Sequence, residues 1–160
     1  PTINRLSAHP NIIGIKDSTG DFMGFSRSIL ARESGRGTAK DFKWIMGEDY
    51  LDSAALFLGA DALVSGLSNI RAEPYTAMFN AAKEERWEDV RSMQEKINTL
   101  YDTVKSFGAG LLVSIKNGAA FYGRSSELMK MPGIGLSNEE RKKLEEVLKD
   151  FDLGSVEEKR

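Results

Sequence analysis

The stretch that most constrains this chain is Asn11-Ile12-Ile13-Gly14-Ile15-Lys16-Asp17-Ser18-Thr19-Gly20-Asp21. Ile12, Ile13 and Ile15 make an apolar, β-branched run with no helical period, bounded by Pro10 and Gly20. Such a run reads as a strand buried on both faces, as in a parallel sheet covered by helices. It ends in Lys16, a cation out of place in a buried strand. In the plainer reading Lys16 marks the strand end and extends its ammonium into water. In the sharper one it is held in an apolar barrel mouth. Desolvation there disfavours the ammonium and leaves a free amine able to attack a ketone and form a Schiff base.

The rest of the first half alternates between helical and strand patterns. Pro1 to Ala8 carries Ile3 and Leu6 at helical spacing, the tail of a helix. Asp21 is placed to cap a helix with the stripe Phe22, Phe25, Ile29 and Leu30, which stops at Ser34-Gly35-Arg36-Gly37. The segment from Gly35 to Lys40 is polar and is expected to be mobile. Its glycines are a poor phosphate cradle, because no strand precedes them and no Gly-Lys-Ser/Thr follows. Phe42 to Met46 is a second strand, running into the loop Gly47-Glu48-Asp49-Tyr50. A helix over Leu51 to Leu58 stops at Gly59, and Ala62-Leu63-Val64-Ser65 forms a third strand that leads into Gly66-Leu67-Ser68-Asn69. Strands separated by helices imply a parallel sheet with right-handed crossovers. Chemistry in such units gathers at the C-terminal strand ends, where Lys16, Gly47-Glu48-Asp49 and Ser65-Gly66 all fall.

From Ala72 onward the pattern is helical, with Pro74 suited to a first turn. Tyr75, Met78, Phe79 and Ala82 form one stripe; Trp87, Val90, Met93, Ile97, Tyr101 and Val104 form another, across a polar bend at Lys83 to Arg86. Stripes of this kind are core. Ser106 to Gly123 reads both ways: Leu111, Leu112, Ile115, Ala119 and Tyr122 fit a helix, while Val113 and Ile115 alternate as in a strand. Pro132-Gly133 and Gly135 break the chain before Ser137, which with Glu140 makes a capping box for a last helix buried through Leu144, Val147, Leu148 and Phe151. Gly154 to Arg160 reads as a frayed polar tail.

Composition removes several classes of function. The 160 residues hold 22 Lys and Arg against 24 Asp and Glu, a net charge of −2, so neither a nucleic-acid face nor a polybasic membrane signal is present. Cysteine is absent, which removes disulfides and thiolate metal sites and suits a reducing, cytoplasmic setting. The one histidine, His9, cannot build a histidine metal site and is expected on an exposed loop. No apolar run reaches the roughly 18 residues of a membrane span, and no signal-peptide pattern opens the chain.

Three segments together carry a resemblance. Gly14-Ile15-Lys16-Asp17-Ser18-Thr19-Gly20-Asp21, preceded by His9-Pro10-Asn11-Ile12, resembles the Schiff-base lysine segment of the dihydrodipicolinate synthase / N-acetylneuraminate lyase family. In the same order and spacing come Gly47-Glu48-Asp49 with Leu58-Gly59-Ala60-Asp61, and Ala62-Leu63-Val64-Ser65-Gly66-Leu67-Ser68-Asn69-Ile70. The family consists of class I, pyruvate-handling aldolases on a (β/α)8 barrel. Its members are about twice this length, and the chain resembles their C-terminal part.

The resemblance implies an α/β fold: a partial TIM barrel of three βα units over residues 1–71, with C-terminal helices over 72–160 packing on it in one structural unit. It implies that Lys16 is the nucleophile, forming an imine with the keto carbon of pyruvate or another 2-keto acid, with no cofactor and no metal. Gly47 would let backbone approach the substrate closely, and Val64 would lie against bound pyruvate or, more plainly, fill barrel core. Asp49 matches a carboxylate that sugar-acid lyases use on substrate hydroxyls; its plainer reading is an exposed loop aspartate. Ser18 would hydrogen-bond substrate or only its own turn. The family's tyrosine proton shuttle and threonine-rich carboxylate loop belong to its N-terminal half, and Tyr50, Tyr75, Tyr101 and Tyr122 match neither. The segment from Leu111 to Gly118 lacks the proline-rich pattern of dihydrodipicolinate synthases. With Ser65 to Ile70, this tilts the reading towards a 2-keto-3-deoxy sugar-acid aldolase, with dihydrodipicolinate synthase as the alternative substrate reading. The expected partners are a small 2-keto acid and either further copies of the chain or a complementing N-terminal half, with neither nucleic acid nor membrane. The rival class is a non-catalytic half-barrel that self-associates.

Overall fold

The structure is a computed structural model that describes residues 2–131 and 133–153. In chain order the elements are α1 (Thr2–Leu6), β1 (Gly14–Asp17), α2 (Phe22–Glu33), β2 (Lys43–Met46), a 3-10 turn (Asp49–Leu51) continuing into α3 (Asp52–Phe57), and β3 (Ala62–Leu63). A second 3-10 turn (Leu67–Asn69) leads to α4 (Glu73–Lys83), α5 (Trp87–Lys105), α6 (Leu111–Phe121) and α7 (Asn138–Leu153). The strands form one parallel sheet in the order β1-β2-β3, with Lys16 paired to Ile45 and Ile45 to Ala62. This is the expected set of three βα units followed by helices.

Local chemistry sets the boundaries. The Asp21 carboxylate caps α2 by accepting the Gly24 amide at 2.9 Å, and past its end Gly35 takes φ +69°, a left-handed conformation that favours glycine. The capping box before α7 is complete: Ser137 N–H donates to Glu140 Oε2 at 2.8 Å and Glu140 N–H to Ser137 Oγ at 3.2 Å. The stretch that reads both ways, Ser106 to Gly123, is helical over Leu111–Phe121.

Two cores result. Trp44 and Met46 of β2 pack with Phe25 and Ile29 of α2, Phe42, and Ala55 of α3. Phe25 and Phe42 meet the Trp44 indole edge-on at 5.7 and 6.1 Å. The larger core joins Met78 of α4, Ile97, Leu100 and Val104 of α5, Val113 of α6 and Leu148 of α7 to Leu56 of α3 and to Leu67 and Ile70 at the turn after β3.

Three expectations need correction. The run from Ile12 to Ile15 is not buried on both faces: Ile13 is 78% exposed and Lys16 is exposed, because β1 is an edge strand and helices cover only one face of the sheet. Leu30 (57% exposed) and Trp87 lie at the margins of their stripes rather than in the core. The polar segment after Gly35 is tied down, since Thr38 is buried and accepts the Trp44 indole N–H at 3.3 Å. The break assigned to Pro132 and the tail from Gly154 to Arg160 lie outside the described residues.

At the N-terminal edge of the sheet the buried Arg32 guanidinium donates to Asp61 Oδ2 at 2.5 Å, to the Phe42 carbonyl at 3.0 Å and to the Gly59 carbonyl at 3.2 Å. Asp61 also accepts the Trp44 amide at 2.9 Å and pairs with exposed Lys43 at 3.2 Å. These bonds hold the Asp61 carboxyl below its ordinary range against the opposing effect of partial burial. Replacing Arg32 with Ala leaves two carbonyls and a half-buried carboxylate short of donors, and should cost on the order of 2–4 kcal/mol. Lys43→Ala, at an exposed pair, should cost less than about 1 kcal/mol. Urea unfolding of the two variants checks the difference.

Candidate functional site

The open face of the sheet carries Lys16, Ile45 and Val64, and β2 and β3 extend past their paired residues through Gly47 N–H to the Asp17 carbonyl and Val64 N–H to the Met46 carbonyl, each at 2.8 Å. Gly47 is required by close approach. A Cβ there would fall inside contact distance of Lys16 Cε and Ser18 Oγ and lie 3.0 Å from the Asp17 carbonyl oxygen. The Lys16 chain therefore runs across Gly47 beside the Ser18 hydroxyl. Lys16, Ser18 and Gly47, singled out in sequence, are brought together here; Val64, 49% exposed, lies on the same face two strands away. The turn after β1 is built by its neighbours: Asp17 Oδ1 accepts Thr19 N–H at 2.9 Å and Thr19 Oγ1 at 2.7 Å, and Asp21 N–H donates to Thr19 Oγ1 at 3.2 Å. Asp17 and Thr19, rather than Ser18, make this turn's side-chain bonds.

Asp49 is not an exposed loop residue. It is 4% exposed, and it accepts Gly66 N–H on Oδ2 at 2.8 Å, with Leu67 N–H at 3.0 Å and Tyr75 O–H at 2.6 Å on Oδ1. Its own carbonyl accepts Gln94 Nε2 at 2.9 Å, and Gln94 Oε1 accepts Ser53 N–H at 2.7 Å. The carboxylate that ends β2 thus holds the turn that ends β3, and fastens both to α4 and α5. The same bond, burial and the negative charge of Asp49 push the Tyr75 hydroxyl far above its ordinary range, burial most of all.

Beside this pair lies a second carboxyl. Asp52, the first residue of α3, is fully buried and accepts Ser65 Oγ on Oδ2 at 2.6 Å, while its Oδ1 is buried without a hydrogen-bond partner. Burial pushes the group up to about 8, the nearby charges of Asp49 and Glu48 push the same way, and the Ser65 bond opposes them. Tyr101 of α5 is raised to about 12, by burial first and then by its hydrogen bond to Glu48. Sequence reasoning missed Asp52, and it placed Ser65 at a strand end without giving it a role. The signal was available, since Asp52, Ala55 and Leu56 stand at i, i+3 and i+4 on α3 and all are buried. Among the described residues no group of three or more His, Cys, Asp or Glu side chains could hold a metal ion, and no helix is long and apolar enough to cross a membrane.

Tyr75→Phe tests the fastening at Asp49. Removing the hydroxyl leaves one buried oxygen of the carboxylate with fewer donors, and should destabilise the fold by roughly 1–3 kcal/mol in thermal or urea unfolding. A loss within error of zero would mean that the Asp49–Tyr75 bond contributes nothing.

Comparison with known proteins sets this arrangement in context. The chain is 30% identical over 151 residues to the 4-hydroxy-tetrahydrodipicolinate synthase of Methanospirillum hungatei, covering 94% of this chain and 49% of that protein. It is 28% identical to the corresponding protein of Archaeoglobus fulgidus, covering 94% and 50%. Dihydrodipicolinate synthase from Bacteroides thetaiotaomicron matches in structure with a TM-score of 0.81 at 28% identity, over 93% of this chain and 50% of that one. N-acetylneuraminate lyase from Fusobacterium nucleatum shares the fold, with a TM-score of 0.78 at 24% identity over 93% and 48%. The chain spans about half the length of the curated relatives it matches. Residues 1–151 match the model of the dihydrodipicolinate synthetase family, and the chain belongs to that family.

Proposed function

We propose that this chain carries the nucleophile of a Schiff-base-forming aldolase or lyase acting on pyruvate or a 2-keto-3-deoxy sugar acid, with dihydrodipicolinate synthesis as the alternative substrate reading. One observation carries it: Lys16 stands at the end of β1 and crosses a glycine, Gly47, whose missing side chain keeps its path clear. Family membership supports the chemistry, and the similar Fusobacterium nucleatum lyase has been solved complexed with pyruvate.

The unprotonated Lys16 amine adds to the keto carbon, and the carbinolamine loses water to give an imine. The imine accepts the electron pair of the adjacent carbon when a C3 proton leaves or when the C3–C4 bond breaks. The resulting enamine then attacks an aldehyde or is reprotonated. In this reading Ser18 hydrogen-bonds the bound acid and Val64 gives it an apolar wall. In this reading Asp49 acts through the turn it holds, since its oxygens already accept three donors.

The proton transfers need a general acid–base, worth typically about 10²–10⁴-fold. Tyr75 and Tyr101 do not serve, as both hydroxyls are bound to carboxylates and held above the ordinary tyrosine range. Residues 1–160 alone should therefore show negligible cleavage of 2-keto-3-deoxygluconate, and turnover near an ordinary ~10 s⁻¹ would contradict this.

Imine formation is tested directly. Treatment with pyruvate and borohydride, followed by peptide mapping, should label Lys16 alone. Lys16→Ala should abolish the label, and Gly47→Ala, whose Cβ collides with Lys16 Cε, should reduce it by roughly tenfold or more. Label spread evenly over surface lysines would refute the assignment.

The open face also calls for a cover. Val64 lies on it, β1 and β3 each leave an edge of unpaired backbone groups, and further copies of the chain or a complementing N-terminal half would bury these. Light scattering over a roughly hundredfold dilution should show association; a constant monomer mass throughout would rule out self-association as the cover.

A further inference from the structure

The buried carboxyl pair under the end of β3 has a use beyond packing. Asp49 and Asp52 stand three residues apart, both buried, and are supplied very differently. Asp49 accepts three donors. Asp52 accepts one, and its second oxygen faces protein with no partner. An ionised carboxylate with a bare buried oxygen is costly, whereas a neutral carboxylic acid with one accepted bond is tolerable. Geometry alone thus divides the pair into an anion and an acid, the pattern expected where like groups crowd one site.

We propose that Asp52 is a positioning residue of this site: kept as a neutral acid, it lets the Gly66–Leu67 turn close around Asp49 while it accepts the Ser65 hydroxyl, and loss of its proton sets a second buried anion beside Asp49 and loosens that turn.

The connection is short. Ser65 directly follows Val64 and directly precedes Gly66, whose amide is bound by Asp49. The second 3-10 turn starts at Leu67 and is closed by Ser68 Oγ donating to the Ser65 carbonyl at 2.6 Å. Ionisation of Asp52 adds a second buried negative charge beside the one that grips Gly66 and Leu67. The groups facing Asp52 do not compensate it. Glu48 from the loop after β2 and Asp49 from the 3-10 turn are both acidic, Tyr75 of α4 already donates to Asp49, and Gln94 of α5 is occupied by Ser53 N–H and the Asp49 carbonyl. Ser65 offers the only hydrogen bond recorded to this carboxyl among the described residues.

The sign of the pH effect follows. A carboxyl that ionises near 8 in the folded chain and near 3.8 when unfolded gives the folded state a proton that the unfolded state has lost. Its contribution is complete below the unfolded value and disappears as the pH rises through the folded one. The turn should be tight in mild acid and loosen in mild base, opposite to an ordinary paired aspartate.

Carbon-13 carboxyl NMR and amide exchange on the whole chain test this. One aspartate carboxyl should titrate near 8, and its resonance should be missing in Asp52→Asn. Protection of the Gly66 and Leu67 amides, corrected for intrinsic base catalysis, should fall about tenfold between about pH 7 and about pH 9, and stay within about twofold in Asp52→Asn. Should Asp52→Asn not fold, Ser65→Ala keeps the question open to measurement: losing the one donor should move the wild-type titration upward. Aspartates that all titrate in the ordinary acid range, or protection that falls equally in Asp52→Asn, would overturn the latch. The proposal depends on the proposed function only for its effect at Lys16, where pyruvate trapping should drop above about pH 8 in wild type more than in Asp52→Asn. Absence of trapping at every pH, with the titration and protection results intact, would defeat the aldolase reading and leave the latch standing.

Discussion

The C-terminal end of the sheet depends on one carboxylate. Asp49 closes the loop after β2, and by accepting the Gly66 and Leu67 amides it fixes the turn after β3 across the strand gap. Parallel strands never meet through a hairpin, so their C-terminal loops have no shared turn to align them. A buried side-chain acceptor supplies the alignment instead. Tyr75 and Gln94 extend it to α4 and α5, so the C-terminal helices are anchored to the same point that shapes the site.

The two ends of the sheet are built on opposite electrostatic terms. At the N-terminal end Arg32 and Lys43 answer Asp61, and the carboxyl sits below its ordinary range. That end has charge balance and is suited to stability. At the C-terminal end Glu48, Asp49 and Asp52 crowd together, answered by amides and hydroxyls, and their neighbours Tyr75 and Tyr101 are pushed upward. Perturbed groups gathered at one end of a parallel sheet make that end the candidate site.

Much of this was legible in the sequence, and the misses share a cause. The three parallel strands, the Asp21 cap, the Ser137–Glu140 box and the stripes of α4 and α5 all follow from local pattern, and the structure has them. Lys16 and Gly47, read from the strand pattern as neighbouring C-terminal strand ends, stand together with Ser18, which the resemblance singled out. What periodicity cannot supply is which face of a strand is covered. Ile12 to Ile15 has the composition of a strand buried on both sides, yet Ile13 and Lys16 are open because nothing in the described chain lies over them. Asp49 was misjudged for a related reason: an acidic loop residue looks solvated until the amides it serves, 17 and 18 positions later, are in view.

That open face bears on the chemistry itself. A lysine acts as a nucleophile only as the free amine, and removing water is one of the main ways a protein favours that form. The sheet supplies Lys16 with a path across Gly47 and a wall at Val64, but leaves the side chain in solvent. Whatever covers the face would therefore do two things at once: bury the apolar surface around Val64, and dry the amine. Under the proposed function, association and reactivity would be coupled through the same surface. Borohydride trapping at Lys16 should then rise with protein concentration wherever association does. Trapping efficiency that stayed flat while the mass of the particle grew would show that the amine gains nothing from the cover, and that its reactivity is set within the β1–β2 strand ends alone.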